Sequence, residues 1–353
     1  MDDFGEKMQI TPDLKKNFYI NMERIAREKK PRMAICYDFD KTLSPNDMQT
    51  FTLIPSLGMK SKSFWDETKE LAIGNLMDNN LAWMYQLIVR SKACRKSVSK
   101  DYFHEIGKDI PLYRGVKTWF SRINSYAEKK GIEIEHYIIS SGLKELIEGS
   151  SIASEFKRIY ASSYYYSPDG VAEWPAQAVN YTNKTQFIFR IAKGIFEEYD
   201  ERVNESMKDE DLYIPYQNIV YIGDSATDIP CMRLVKSKGG FSIGVFDPKN
   251  DERDKVYKLF NDERITYYAP ANYTSGGELN TYLKQIVDIV AAREIMKTEQ
   301  EVLSTPVKIY DTYMNMKKMI KDPRMPDAQK EGIIAASEIV YDMIDGKVKK
   351  WDV

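Results

Sequence analysis

A doubly wound α/β fold, with a mostly parallel sheet, an inserted helical segment and a helical C-terminal extension, is what this 353-residue sequence predicts. Three observations predict it. Short apolar runs alternate with stretches of helical period, the pattern of strands joined by crossover helices. From Pro45 to about Arg114 the pattern stays helical, with no convincing strand. Beyond residue 277 it is mostly helical again.

Taken in order, residues 12–30 read as an amphipathic helix, with Leu14, Phe18, Met22 and Ile25 on one face and Pro31 as its stop. Met33 to Asp38 is an apolar run ending in acid, the look of a buried parallel strand whose tip opens into a site. Within the insertion, Phe64–Leu76, Leu81–Val98 and Lys100–Ile106 read as helices. Residues 116–130 form another, with Gly131 placed for a left-handed cap. Glu135–Ser140 is the second strand. Arg158–Tyr166 is the third, followed by the turn Ser167-Pro168-Asp169-Gly170 and a return strand over Val171–Trp174. A helix spans 184–199 with Phe187, Ile188, Ile191 and Ile195 inward; Ile219–Ile222 and Phe241–Phe246 are further core strands. Glu301–Lys321 and Asp327–Asp345 close the chain as helices. The expected domains are a core over 1–44 and 116–295, a cap over 45–115, and an extension over 296–353.

Composition narrows the function classes. The net charge is −2 with mixed signs, and no basic stripe favours a nucleic-acid partner. Cys36, Cys94 and Cys231 form neither a metal-ligand spacing nor a disulfide framework, which fits a reducing compartment. No stretch has the length of a membrane span and the acidic N-terminus lacks a signal-like apolar region, so cytoplasmic residence is the expectation.

Four places carry chemistry, each beyond an apolar strand or at a helix start. Asp38-Phe39-Asp40-Lys41-Thr42 sets two carboxylates two residues apart, so that one can act as nucleophile and the other as acid and base. Ser140-Ser141-Gly142 offers a hydroxyl and backbone N–H groups to an anionic oxygen, though an ordinary N-cap reads the same way. Lys184 lies in a first helical turn, where the macrodipole disfavours a cation unless an anion is near. Gly223-Asp224-Ser225-Ala226-Thr227-Asp228 places two carboxylates four apart where a strand enters a helix, a pair that suits magnesium.

In this order, Asp38-x-Asp40-x-Thr42, Ser140, Lys184 and Gly223-Asp224-x-x-x-Asp228 resemble the four motifs of the haloacid dehalogenase-like (HAD) hydrolases, over roughly residues 33–290. The helical insertion between the first two motifs resembles the C1-cap subclass. The Asp169-Gly170 hairpin and Tyr273–Leu279 resemble its phosphoserine phosphatase-like members. The resemblance implies a Rossmann-like core and Mg²⁺-dependent hydrolysis of a small phosphorylated metabolite. Asp38 would carry the phosphoryl group and Asp40 would serve as acid and base. Ser140, with Ser141, Gly142, Thr42 and Lys184, would bind the phosphate. Asp38, the Asp40 carbonyl and Asp224 would hold the metal, with Asp228 as ligand or outer partner. It also implies two substrate contacts in the cap: Asp47, nine residues after Asp38, and Arg90, with a solvated helix face as the plain alternative for both. A nucleotidase or sugar phosphatase of the same chemistry, or a non-enzymatic phosphate- or partner-binding module, stands beside this expectation.

Overall fold

The computed structural model describes residues 30–249 and 253–344. The expected helix at 12–30 therefore lies almost wholly outside the described residues. Seven strands form one sheet: β1 (Arg32–Tyr37), β2 (Glu133–Leu143), β3 (Arg158–Tyr166), β4 (Ala172–Gln177), β5 (Ile219–Gly223), β6 (Phe241–Phe246) and β7 (Tyr267–Pro270), in the order 4-3-2-1-5-6-7. Every neighbouring pair is parallel except β3 and β4, the hairpin read from Asp169-Gly170. Gly170 turns it at φ 75°.

The chain winds outward from β1 to one side, then returns to place β5 on the other. The strand order therefore reverses at β1. In open α/β sheets the crevice at such a reversal is where ligands bind. β1 and β5 are almost entirely buried because both faces of the sheet are covered, which explains their unbroken apolar runs.

Among the described residues the α-helices are α1 (Leu53–Ser56), α2 (Ser61–Asn75), α3 (Asn79–Ala93), α4 (Lys100–Gly107), α5 (Val116–Glu128), α6 (Lys144–Gly149), α7 (Thr185–Lys193), α8 (Ile229–Ser237), α9 (Arg253–Asn261), α10 (Glu278–Ile320) and α11 (Asp327–Ile344). The first four occupy the insertion between β1 and α5. Phe64, Thr68 and Ala72 of α2 are buried, as are Ala82, Trp83 and Leu87 of α3. Asp78 caps α3 by accepting from the N–H groups of Asn80 and Leu81, and its other oxygen accepts from Asn180 Nδ2 at 2.8 Å. Tyr164 Oη of β3 donates to the Met84 carbonyl at 2.8 Å. These bonds tie the insertion to the sheet.

Several expected boundaries move. α7 ends six residues before 199, because Gly194 takes a left-handed C-cap at φ 71°. α3 stops at Ala93 rather than Val98, with Arg95 left-handed just beyond. β2 runs three residues past Ser140, through an irregularity in its pairing with β3 between Ile139 and Leu143. β7 and α9 had no clear sequence signal; β7 is four residues long and mostly half-buried.

Packing groups Arg32–Val290 as one unit. The residues up to Pro31 and those from Ala291 belong to a second, which includes the rest of α10 and α11, where the Tyr313 and Tyr341 rings lie 6.0 Å apart. No described helix is long and apolar enough to cross a membrane.

Candidate active site

Beyond β1, the Asp38 N–H still donates to the Ile222 carbonyl at 2.9 Å, so the first acid leaves the sheet in register with β5. The chain then curls. The N–H groups of Leu43 and Ser44 both donate to the Phe39 carbonyl, at 2.9 and 3.0 Å, and Lys41 takes φ 57°. Phe39 is fully buried, while Asp38 and Asp40 on either side of it line a cavity of about 300 Å³. The Met48 N–H holds Asp40 Oδ1 at 2.8 Å.

At the end of β5, Asp224 lines the same cavity. Asp228 does not: it is fully buried behind the wall. Its Oδ1 accepts from Tyr221 Oη (2.8 Å) and Lys184 Nζ (2.7 Å), and its Oδ2 from the N–H and Oγ of Ser225 (3.2 and 3.1 Å). Gly223 makes room for this arrangement, since a Cβ there would lie 2.6 Å from Asp228 Oδ2. Carboxylate oxygens of Asp38, Asp224 and Asp228 all lie within 4.8 Å of one another.

Lys184, at the N-terminal boundary of α7, is fully buried and donates to Asp38 Oδ1 at 3.1 Å as well as to Asp228. The anion that its unfavourable helix position called for is present. Burial alone would lower its pKa, but Asp228 and Asp38 together raise it above the ordinary lysine value, and it stays charged. Burial raises Asp38 to about 6 against the opposing pull of Lys184. Asp224 is raised by burial and then by Asp228 and Asp38; Asp40 is raised by burial and then by Asp47 and Asp38.

Ser140 is buried and its Oγ accepts the Gly142 N–H at 3.1 Å. It sits with Ser141 and Gly142 in the irregular end of β2, and α6 begins only at Lys144. Ser140 and Ser141 line the cavity, and Ser141 Oγ has no hydrogen-bond partner among the described residues. Thr42 is buried and off the cavity; its carbonyl accepts from Tyr273 Oη at 2.8 Å. Asp47 lines the cavity with Lys41 Nζ at 3.0 Å. Arg90 is not brought to the site. It pairs with Glu67, which also accepts from Gln86 at 2.7 Å, and none of the three lines the cavity.

Sequence reasoning missed Tyr221 and Ser225. The pattern Ser225-x-x-Asp228 carried a findable signal, that of a capping box, and the structure forms one. The polar wall of Asp78, Asn80 and Asn180 had no such signal, because Asn180 lies about a hundred residues from the other two.

Three clustered carboxylates against a single touching lysine leave uncompensated negative charge. The donor set is entirely oxygen, which fits a hard divalent cation such as magnesium. The arrangement can therefore present a carboxylate to an electrophile beside a cation, with a second carboxyl, Asp40, whose burial favours its protonated form, lining the same cavity.

The sequence profile of the haloacid dehalogenase-like hydrolases matches residues 35–233, more than half of the chain. An uncharacterized protein of Borreliella burgdorferi is 26% identical over 282 residues, covering 73% of this chain and 97% of that one. Similar solved structures include a HAD family hydrolase from Salmonella enterica serovar Typhi, at 17% identity and a TM-score of 0.43 over 69% of this chain and 75% of that one. A phosphoserine phosphatase solved as a phospho-aspartyl intermediate analogue gives 17% identity and a TM-score of 0.43, over 72% of this chain and 99% of that one.

Proposed function

The chain belongs to the haloacid dehalogenase-like hydrolase family, and from that premise we propose that it is a magnesium-dependent phosphatase acting on a small phosphate monoester through an aspartyl-phosphate on Asp38. One observation carries the proposal: a buried Asp38 paired with Lys184, beside Asp224 and within one cavity with Asp40.

In this proposal a carboxylate oxygen of Asp38 attacks phosphorus, forming the acyl-phosphate bond as the ester P–O bond breaks. Lys184 fixes the Asp38 carboxylate and offsets the charge gathered there. Asp228, itself held by the Tyr221 hydroxyl, in turn fixes Lys184. Asp40, its carboxyl oriented by the Met48 N–H and raised above the usual carboxylate range, gives its proton to the departing alkoxide. It then takes a proton from the water that hydrolyses the acyl phosphate. Ser140 and Ser141 offer hydroxyls, and the 140–142 backbone its N–H groups, to the phosphoryl oxygens. Asp38, the Asp40 carbonyl and Asp224 would hold Mg²⁺, with Asp228 as an outer partner. When bound, the metal offsets like-charge repulsion between phosphate and carboxylate, which for one pair at 4 Å is about 4 kcal/mol at an effective dielectric of 20.

The test is a phosphatase screen with and without magnesium, run beside Asp38→Asn and Asp40→Asn. Turnover by wild type that disappears in Asp38→Asn, and on chelation, is expected. Equal activity in Asp38→Asn would reject the mechanism.

A further inference from the structure

The long helix α10 buries one side within its own unit, where Val302 and Tyr313 are almost wholly covered. Roughly a third of a turn round the helix runs a second apolar line, and this one is exposed. Met296 and Leu303 each expose 73% of their surface, Val307 51% and Met314 38%. Single exposed apolar residues are ordinary. These four are not placed singly. Met296, Leu303 and Tyr310 recur every seventh residue, and so do Gln300, Val307 and Met314, four positions further on.

That alternation of four and three is the spacing of a coiled-coil seam, with the first set at d and the second at a. So narrow a stripe suits one facing helix, whereas a helix lying on a globular core shows a broader apolar face. From Met296 to Met314 the seam is about 28 Å long at 1.5 Å per residue. Arg293 and Lys317 hold the next positions outward and end it. Pro306 falls at a g position; the helix is continuous past it, so the register of the seam is kept.

Charge selects both the partner and the direction. In an antiparallel pair of such helices the a positions of one meet the d positions of the other, and e faces e. With Val307 opposite Leu303 of a second copy, Met314 meets its Met296 and Gln300 meets its Tyr310. Every layer of the seam is then filled, and the single polar layer at Gln300 fixes the register. The e positions are Lys297, Ser304 and Asp311. In this same register Lys297 of each copy faces Asp311 of the other, so that symmetry produces two opposite-charge pairs. Asp311 is exposed, and Lys297 lies 4.0 Å from Glu301, at the limit of an ion pair. A parallel pair sets g against e, which places Glu299 against Ser304 and forms no opposite-charge pair. The patch is therefore complementary to itself, the condition for a two-fold interface.

We propose that α10 is a dimerisation helix, pairing antiparallel with α10 of a second copy of this chain through Met296, Gln300, Leu303, Val307, Tyr310 and Met314. The inference is independent of the phosphatase reading. The seam buries less than a standard interface of about 1,600 Å², so the dimer is a reversible one.

The experiment is sedimentation equilibrium of the full chain from about 1 to 100 μM, with far-ultraviolet circular dichroism of each variant as the check on folding. Wild type should move from monomer towards twice the monomer mass across this range. Leu303→Glu should raise the dimer dissociation constant more than tenfold with an unchanged spectrum. Lys297→Asp and Asp311→Lys should each raise it about fivefold, and the double variant should return to within about twofold of wild type. Wild type that stays monomeric at every concentration overturns the proposal and leaves the seam to a different protein. A dimer that Leu303→Glu does not weaken overturns it too, by placing the interface elsewhere. If Leu303→Glu misfolds, the charge reversals decide: rescue in the double variant supports the antiparallel pair, and absence of rescue rejects it.

Discussion

Replacing Lys184 by methionine keeps an unbranched side chain only one atom shorter and removes its charge, leaving Asp38 and Asp228 facing one another without a cation between them. At the observed 2.7 and 3.1 Å, each pair attracts by about 5–6 kcal/mol at an effective dielectric of 20. The burial of three charges offsets much of this gain, so the expected net loss is that of breaking a buried pair, about 3–5 kcal/mol. With a urea slope of about 3 kcal/mol/M, the midpoint at pH 8 in chelator should fall by about 1–1.7 M. The sign with pH is fixed by the same groups. Burial already raises Asp38 to about 6 beside Lys184, and losing the lysine raises it further. A carboxyl whose folded pKa lies above its unfolded value contributes most at low pH and loses that contribution as pH rises through the folded pKa. The gap between wild type and Lys184→Met should therefore narrow from pH 8 to pH 5. A loss below about 1 kcal/mol at pH 8, or a gap of constant size, would refute this account of the ion pair.

His136 is buried, with Nδ1 3.0 Å from Tyr37 Oη and Nε2 2.8 Å from Asn124 Oδ1, and burial lowers its pKa to about 3. A histidine depressed in the folded state contributes fully above about 6.5 and loses about 1.4 kcal/mol per unit as pH falls toward 3. Urea midpoints should fall more steeply between pH 7 and 4.5 for wild type than for His136→Gln; parallel profiles would show that His136 titrates normally. Magnesium should raise the melting temperature of wild type, with about 2.7 kcal/mol of stabilisation at a hundredfold excess over Kd. Asp224→Asn should abolish that rise, and an undiminished shift would place the metal elsewhere. In Gly142→Ala the new Cβ would lie 2.2 Å from Met48 Cε and 3.1 Å from Asp40 Oδ2. Displacing Asp40 should lower kcat by about 10–100-fold, and unchanged kcat would show that Asp40 tolerates the shift.

Much of the core was legible because its signals are local. Met33–Asp38, Ile219–Ile222 and Phe241–Phe246 announce buried parallel strands by unbroken apolar runs, and the sheet places them so. The acids at 38, 40 and 224 could be placed at strand tips for the same reason, since a strand that ends in Asp must bring that Asp to the sheet's carboxyl edge. Lys184 was legible as an electrostatic anomaly, a cation at the positive end of a helix.

What stayed hidden depends on residues distant in the chain. Asp228 looks from sequence like the equal of Asp224, yet Tyr221, Ser225 and Lys184 consume both of its oxygens and turn it inward. Arg90 lies on a helix whose extent the sequence predicted approximately, but only the packing of α2 against α3 decided that Glu67 would hold it. The same packing brought Gln49, Trp65 and Thr68 to the wall of one cavity with Asp40. Period and propensity are properties of neighbours along the chain and fix which segments become strands or helices. Which side chains share a cavity is settled by crossovers and by helix contacts, where a rotation of one helical position sends a residue from the cavity wall to solvent.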